Sequence, residues 1–187
     1  MHSQAHVMRV PTRSLSLCLG LALFCSLWAS PGSADWRSEI PGATQVGQGQ
    51  FTWLGFVVYE AHLWSAGAPS GWAHAFALEL VYRRALSQDT LVQASLDEMR
   101  RLGTEDEALL AGWAREMRQG FVDVQPGQRI TGVYLPGVGC RFYVDGRLRH
   151  AVSDARFARA FFSIWLDPRT RNPELRRDLL GLSGEQP

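Results

Sequence analysis

Residues 50–64, QFTWLGFVVYEAHLW, decide how the chain folds. The run is dense in aromatic and β-branched side chains, which favour extended backbone. Phe51, Trp53, Val57 and Tyr59 share one parity, and Leu54, Phe56 and Val58 share the other. Both faces are apolar over part of the run. It therefore reads either as one strand buried on both sides or as two strands meeting at Gly55. Residues 35–45, just upstream, are polar, carry Pro41 and Gly42, and read as a leader into the first strand. Residues 65–71 (SAGAPSG) form a loop. Residues 75–82 then give a second strand with Phe76, Leu78, Leu80 and Tyr82 on one face.

The period next changes to that of a helix. Ser87 suits an N-cap, Leu91, Ser95, Leu96, Met99 and Leu102 trace one face, and Gly103 stops the element. Thr104 with Glu107 three residues on matches a capping box. Leu109, Leu110, Trp113 and Met117 form the apolar stripe of this second helix, and Gly120 ends it. The short link predicts an antiparallel pair. Alternation with period two returns in residues 129–135, 140–144 and 147–152, punctuated by Pro126-Gly127, residues 136–139 and the tight-turn pair Asp145-Gly146. Ser153 or Asp154 caps a helix running to Leu166, with Phe157, Ala158, Phe161, Phe162 and Trp165 inward. Asn172-Pro173 opens a last short helix that stops at Gly181. Strands, a helix pair, a strand meander and further helices predict an α+β fold: an antiparallel sheet with helices gathered on one face.

The N-terminus reads differently. Residues 1–14 hold Arg9 and Arg13 and no acid, residues 15–28 (LSLCLGLALFCSLW) are uncharged and apolar, and Gly32-Ser33-Ala34 supplies small side chains. This is the pattern of a secretory signal, cleaved after Ala34. The apolar run is shorter than the roughly 20 residues a spanning helix needs, which disfavours an uncleaved anchor. The expected mature chain, residues 35–187, is one domain located in the periplasm or secreted. It carries 17 arginines, no lysine and 18 acidic residues. Near-neutrality without a basic stripe argues against a nucleic-acid partner. Cys18 and Cys25 leave with the signal, and Cys140 alone cannot form an internal disulfide. Its place within a strand makes it a buried small hydrophobe.

Several segments occur in the order and spacing of one family. They are Gly47-Gln48-Gly49, residues 58–64 (VYEAHLW), the helix pair, residues 135–139 (LPGVG), Asp145-Gly146, residues 157–166 (FARAFFSIWL) and residues 175–181 (LRRDLLG). From residue 47 to residue 181 the sequence resembles bacterial chalcone isomerase-like proteins. The resemblance implies an open-faced β-sandwich with an apolar cleft between sheet and helices. It also implies three activities found in the wider family: isomerisation of chalcones, non-catalytic fatty-acid binding and haem binding. True isomerases carry an arginine shortly after the Gly-x-Gly, where its charge steadies a phenolate and a developing enolate. That place falls at Phe51, beside Gln50, and neither is a cation. The expected function is therefore binding of an apolar or amphipathic small molecule, fatty acid-like or haem-like. The alternatives are an isomerase acting on a chalcone- or enone-like substrate and a ligand-free interaction domain.

Candidate ligand-binding residues follow from type and place. Gln50 and Trp53 stand where the family carries its catalytic stretch. Tyr59, Tyr82 and Tyr134 lie in apolar strands, where a hydroxyl seeks a partner. Arg84, after the second strand, suits a carboxylate clamp, because a guanidinium offers bidentate donors. Arg141, central in its strand, is expected on the solvent face. No zinc-binding spacing surrounds His62, His74 or His150, so no metal is expected, and His62 is the candidate axial ligand should haem bind.

Overall fold

The computed structural model describes residues 35–67 and 71–182. The export signal read in residues 1–34 lies outside the described residues. Strands β1 (Thr44–Trp53), β2 (Phe56–Ser65) and β3 (Phe76–Tyr82) are followed by helices α1 (Gln88–Arg101) and α2 (Glu107–Gly120). Strands β4 (Arg129–Leu135), β5 (Gly139–Val144) and β6 (Arg147–Val152) then lead to α3 (Ala155–Leu166) and α4 (Pro173–Leu179). The strands form one six-stranded antiparallel sheet in sequence order, with the helix pair inserted between β3 and β4.

Residues 50–64 resolve as two strands. The chain reverses at Leu54 and Gly55, both at positive φ (50° and 80°), the geometry of a type I′ hairpin turn. The β5–β6 hairpin does the same with Asp145 and Gly146 at 48° and 79°. Asp-Gly is a favoured pair for that turn, whereas Leu54 occupies a conformation costly for a bulky L-residue.

The inner sheet face carries Ala61, Leu63, Phe76, Leu78, Leu80, Ile130, Cys140 and Phe142 beneath Met99, Trp113, Met117, Phe157, Phe161 and Phe162 of the helices. Cys140 is buried there, and burial pushes its thiol well above the ordinary range. The outer face has a smaller cluster. A 3-10 helix, Trp36–Glu39, lays Trp36 and Ile40 against Ala77, Val133 and Tyr143. Glu39 accepts hydrogen bonds from Arg141 and, at 2.9 Å, from the Tyr143 hydroxyl. The segment expected as a plain leader thus packs through one fully buried tryptophan. Arg141 does face outward, but onto Glu39.

Helix starts follow side-chain caps. Ser87 accepts from the Thr90 amide at 3.1 Å and Asn172 from Leu175 at 3.0 Å. The second helix corrects its expected start. Asp106, not Thr104, is its cap, accepting from Leu109 at 3.0 Å, and Glu107 instead grips Arg100 at 2.9 and 3.0 Å, tying α2 back to α1. Asp154 caps α3 through the amides of Arg156 and Phe157 at 2.8 and 3.1 Å, and also accepts from Trp113 Nε1 at 3.1 Å. Partial burial opposes its charge, but these three donors hold its carboxyl below the usual range. A depressed folded-state pKa stabilises above the unfolded value of about 3.9 and loses that contribution as acid protonates the native group. Asp154→Ala is expected to cost about 1–2 kcal/mol at pH 7. In urea titrations the gap between variant and wild type should narrow as the pH falls below the unfolded value of about 3.9. An equal gap at pH 7 and pH 2.5 would refute the assignment.

Candidate functional site

The sheet and helices separate at one end of the β1–β3 half, leaving a cavity of about 680 Å³. This lies within the range of small-molecule sites, roughly 300–1,000 Å³. Its floor is Phe51, Tyr59, Leu80, Tyr82 and Ile130 from the sheet. Leu91 and Ser95 of α1, Phe161, Ile164 and Trp165 of α3, and Leu175 of α4 form the roof. Exposed Thr52, Trp53, Ala94, Asp97 and Arg171 mark the mouth. Ser95 turns its hydroxyl back to the Leu91 carbonyl at 2.8 Å, so it adds little polarity to the wall.

Two tyrosines carry the polar chemistry of the interior. Tyr59 and Tyr82 are directly paired across β2 and β3, with ring centroids 5.9 Å apart and nearly edge-on. Phe51 stacks on the other side of Tyr59 at 5.1 Å. Trp165 Nε1 donates to the Tyr59 hydroxyl at 2.9 Å. Indole is only a donor, so the Tyr59 proton remains available to another acceptor. Tyr82 is 4% exposed, and its hydroxyl has no hydrogen-bond partner among the described residues. Burial raises both phenols far above their ordinary value, and nearby Glu98 adds to the rise at Tyr59. Both are therefore neutral hydrogen-bond donors throughout the physiological range.

Charges at the mouth are internally balanced. Glu98 takes Arg171 at 2.6 Å and Arg101 at 2.8 Å, joining α1 to the α3–α4 link. Asp97 lies against Arg100 at 3.2 Å. Arg171 is the arginine of the lining, and sequence reading did not single it out: it sits in a loop whose approach to α1 is purely tertiary.

Of the residues proposed from sequence, Trp53, Tyr59 and Tyr82 line the cavity. Gln50 does not: it faces the other side of β1 and donates to Glu60 at 3.3 Å. Arg84 lies outside it, its guanidinium 4.4 Å from the centre of the Phe56 ring. Tyr134 pairs with Phe76 at the opposite end of β3, stacks on that ring at 4.9 Å and reaches the Trp72 carbonyl at 3.4 Å. Phe51, expected from sequence at the place of the isomerase arginine, stacks on Tyr59. His62 alternates with the inward Ala61 and Leu63, so it belongs to the outer face, between Gln48 and Glu79. Among the described residues, no His, Met or Cys lines the cavity. The cavity does not fit a histidine-ligated haem.

Comparison with known proteins agrees with this architecture. A family model described as chalcone isomerase-like matches residues 66–181, from the end of the β1–β2 hairpin through α4. An uncharacterised protein of Haemophilus influenzae is 28% identical over 137 residues, 73% of this chain and 67% of its own length. The crystal structure of a fatty-acid binding protein of Arabidopsis thaliana superposes with a TM-score of 0.57 over 78% of this chain and 92% of the other, at 12% identity. That likeness is one of fold. With the family model covering well over half its length, the chain belongs to the chalcone isomerase-like family.

Proposed function

We propose that this protein is exported and holds an apolar or amphipathic small molecule, fatty acid-like in shape, between its sheet and helices, without catalysing its conversion. The observation that carries the reading is the cavity of about 680 Å³ walled by aromatic and aliphatic side chains, with two neutral tyrosines at paired positions of adjacent strands in its floor. Apolar walls favour the hydrocarbon body, and a few placed donors fix the polar end. The fold shared with a plant fatty-acid binding protein supports the reading. The paired mouth charges refine it. With Arg171 and Arg101 already engaged by Glu98, the interior offers hydroxyl donors rather than a bare cation. A carbonyl, ester or protonated acid suits those donors better than a free carboxylate. Export rests on the pattern of residues 1–34.

Native mass spectrometry of the protein recovered from cells tests both halves. The polypeptide mass should correspond to a chain beginning at Asp35, with a second species heavier by a lipid-sized adduct that organic solvent removes. In titrations with oleic acid and methyl oleate, the ester should bind at least as tightly. Tyr82→Phe should weaken ester binding about fivefold, the loss of one hydrogen bond of about 1 kcal/mol. Ala94→Trp, which fills the mouth from an exposed helix position, should abolish uptake. Binding unaffected by Ala94→Trp, or no uptake of either probe by wild type, would sink the reading.

A further inference from the structure

The β1–β2 hairpin ends in an apolar tip. Trp53 is 62% exposed, Leu54 81% and Phe56 58%, and these neighbours are half of the large exposed hydrophobics among the described residues. Nothing in the sheet requires this. A type I′ turn is most easily made by Asn-Gly or Asp-Gly, as the Asp145-Gly146 turn of the same sheet shows. Here Leu54 holds the left-handed conformation at the apex, projecting an aliphatic side chain into solvent. The tip is convex and ends the strand that forms one edge of the sheet.

Its chemistry selects an occupant. Behind the tip stand Arg83 and Arg84. Arg83 pairs with Glu60 at 2.6 Å, whereas Arg84 has no acidic partner among the described residues and rests on the Phe56 ring. The result is a wedge of Trp, Leu and Phe with an unneutralised guanidinium seated on its phenylalanine, 4.4 Å from the ring centre. An exposed apolar tip with a cation beside it matches the boundary of an anionic bilayer. Tryptophan and phenylalanine settle at the acyl–headgroup boundary, and arginine meets the phosphates. A protein partner is a poorer match. The three side chains offer on the order of 400 Å², about half of what one side of a stable protein interface buries.

We propose that the Trp53–Phe56 tip is a membrane-docking wedge that seats the protein reversibly on anionic phospholipid. No helix among the described residues is long and apolar enough to span a bilayer, so the docking is peripheral. Because Trp53 belongs both to the wedge and to the cavity lining, the seated tip sets the cavity mouth against the lipid surface. Docking itself does not depend on what the cavity holds.

The test is flotation of the purified protein with vesicles of phosphatidylethanolamine and phosphatidylglycerol, and with vesicles of phosphatidylcholine alone. Wild type should float with the anionic vesicles, less at 0.5 M salt, and little with the neutral ones. Leu54→Asn gives the turn its preferred residue and leaves the cavity lining untouched, so it keeps the fold while removing the apex. It should reduce flotation at least tenfold, and Arg84→Gln should reduce it severalfold, with methyl oleate uptake unchanged in both. Failure of wild type to float overturns the proposal, as does flotation of Leu54→Asn at the wild-type level. Sedimentation showing a dimer that Leu54→Asn dissolves, without vesicle binding, would replace the membrane by a second copy. Loss of methyl oleate uptake with flotation intact would refute the cavity reading alone.

Discussion

Phe142→Ala is expected to destabilise the protein by about 4–5 kcal/mol, the upper end of the range for deleting a buried phenylalanine. Phe142 is fully buried on the inner face of β5 and meets Phe121 and Phe161, both at 5.1 Å and nearly edge-on. The cost is high because the slot cannot collapse. One wall is the bare backbone of Gly120 at the end of α2, where an added Cβ would lie 2.6 Å from the ring. Gly132 of β4 is a second side-chain-free neighbour, with its hypothetical Cβ 3.6 Å away. Neither has a side chain to swing into the void. The same geometry predicts a change of sign. Gly120→Ala should be destabilising in the wild-type background, where its methyl strikes the ring. In the Phe142→Ala background it should be neutral or stabilising, since it fills part of the hole. Urea denaturation of the four proteins of this cycle measures both effects. Against a total stability of roughly 5–15 kcal/mol, the single variant should be visibly close to unfolding. A cost below about 2 kcal/mol, or the same sign for Gly120→Ala in both backgrounds, would contradict this packing.

What sequence could reveal here was what is local. Alternation in residues 129–135 and 147–152 predicts β4 and β6 to the residue, because each strand is bounded by turn chemistry that acts within a few positions. Ser87, Asn172 and the Ser153-Asp154 pair, of which Asp154 is the cap, announce helix starts for the same reason: a cap is a hydrogen bond to an amide two or three residues on. Asp106 was missed where two acids and a threonine compete within three residues. The choice among them is made by Arg100, which draws Glu107 away from a reciprocal capping role. Trp36 was missed because its burial depends on Val133 and Tyr143, about a hundred residues downstream.

The candidate site divides along the same line. Tyr59 and Tyr82 are legible from strand parity, which fixes the sheet face each side chain meets. Tyr134 satisfies that parity too, yet stands at the far end of β3, because parity gives the face and not the position along the strand. Gln50 and His62 belong to the outer face on that same count once the hairpin register is known. Arg84 illustrates a different limit. Its place after β3 suits a clamp, but whether a guanidinium turns inward depends on what neighbours offer, and the Phe56 ring offers a cation–π seat. The cation at the mouth, Arg171, arrives from the α3–α4 link to meet Glu98 of α1, a pairing no local pattern encodes.

Gly47→Ala should have the second large effect, and it joins stability to the site. Gly47 and Gly49, the glycines of the Gly-x-Gly segment, both lie within β1. They are a seat for α4. A Cβ on Gly47 would stand 2.0 Å from the Asp178 carbonyl oxygen and 2.6 Å from that of Leu179. Those are backbone atoms at the helix end and cannot rotate away. A Cβ on Gly49 would meet side chains only, the movable Leu175 Cδ1 tip at 2.8 Å and the Asp178 Cβ and Oδ2 at 3.0 Å. The two positions should therefore separate: about 3 kcal/mol for Gly47→Ala, the upper end of ordinary overpacking costs, against about 1 kcal/mol for Gly49→Ala. The larger cost should be spent on undocking α4 rather than on the whole fold. Hydrogen exchange in residues 173–179 should quicken by two orders of magnitude in Gly47→Ala while exchange in β3 and β4 rises far less. Leu175 and Asn172 line the cavity, so loosening α4 should also weaken methyl oleate uptake. Equal costs at the two glycines would place α4 elsewhere. Protected exchange at α4 beside a lost cavity function would mean that the seat positions the β1 edge and not the helix.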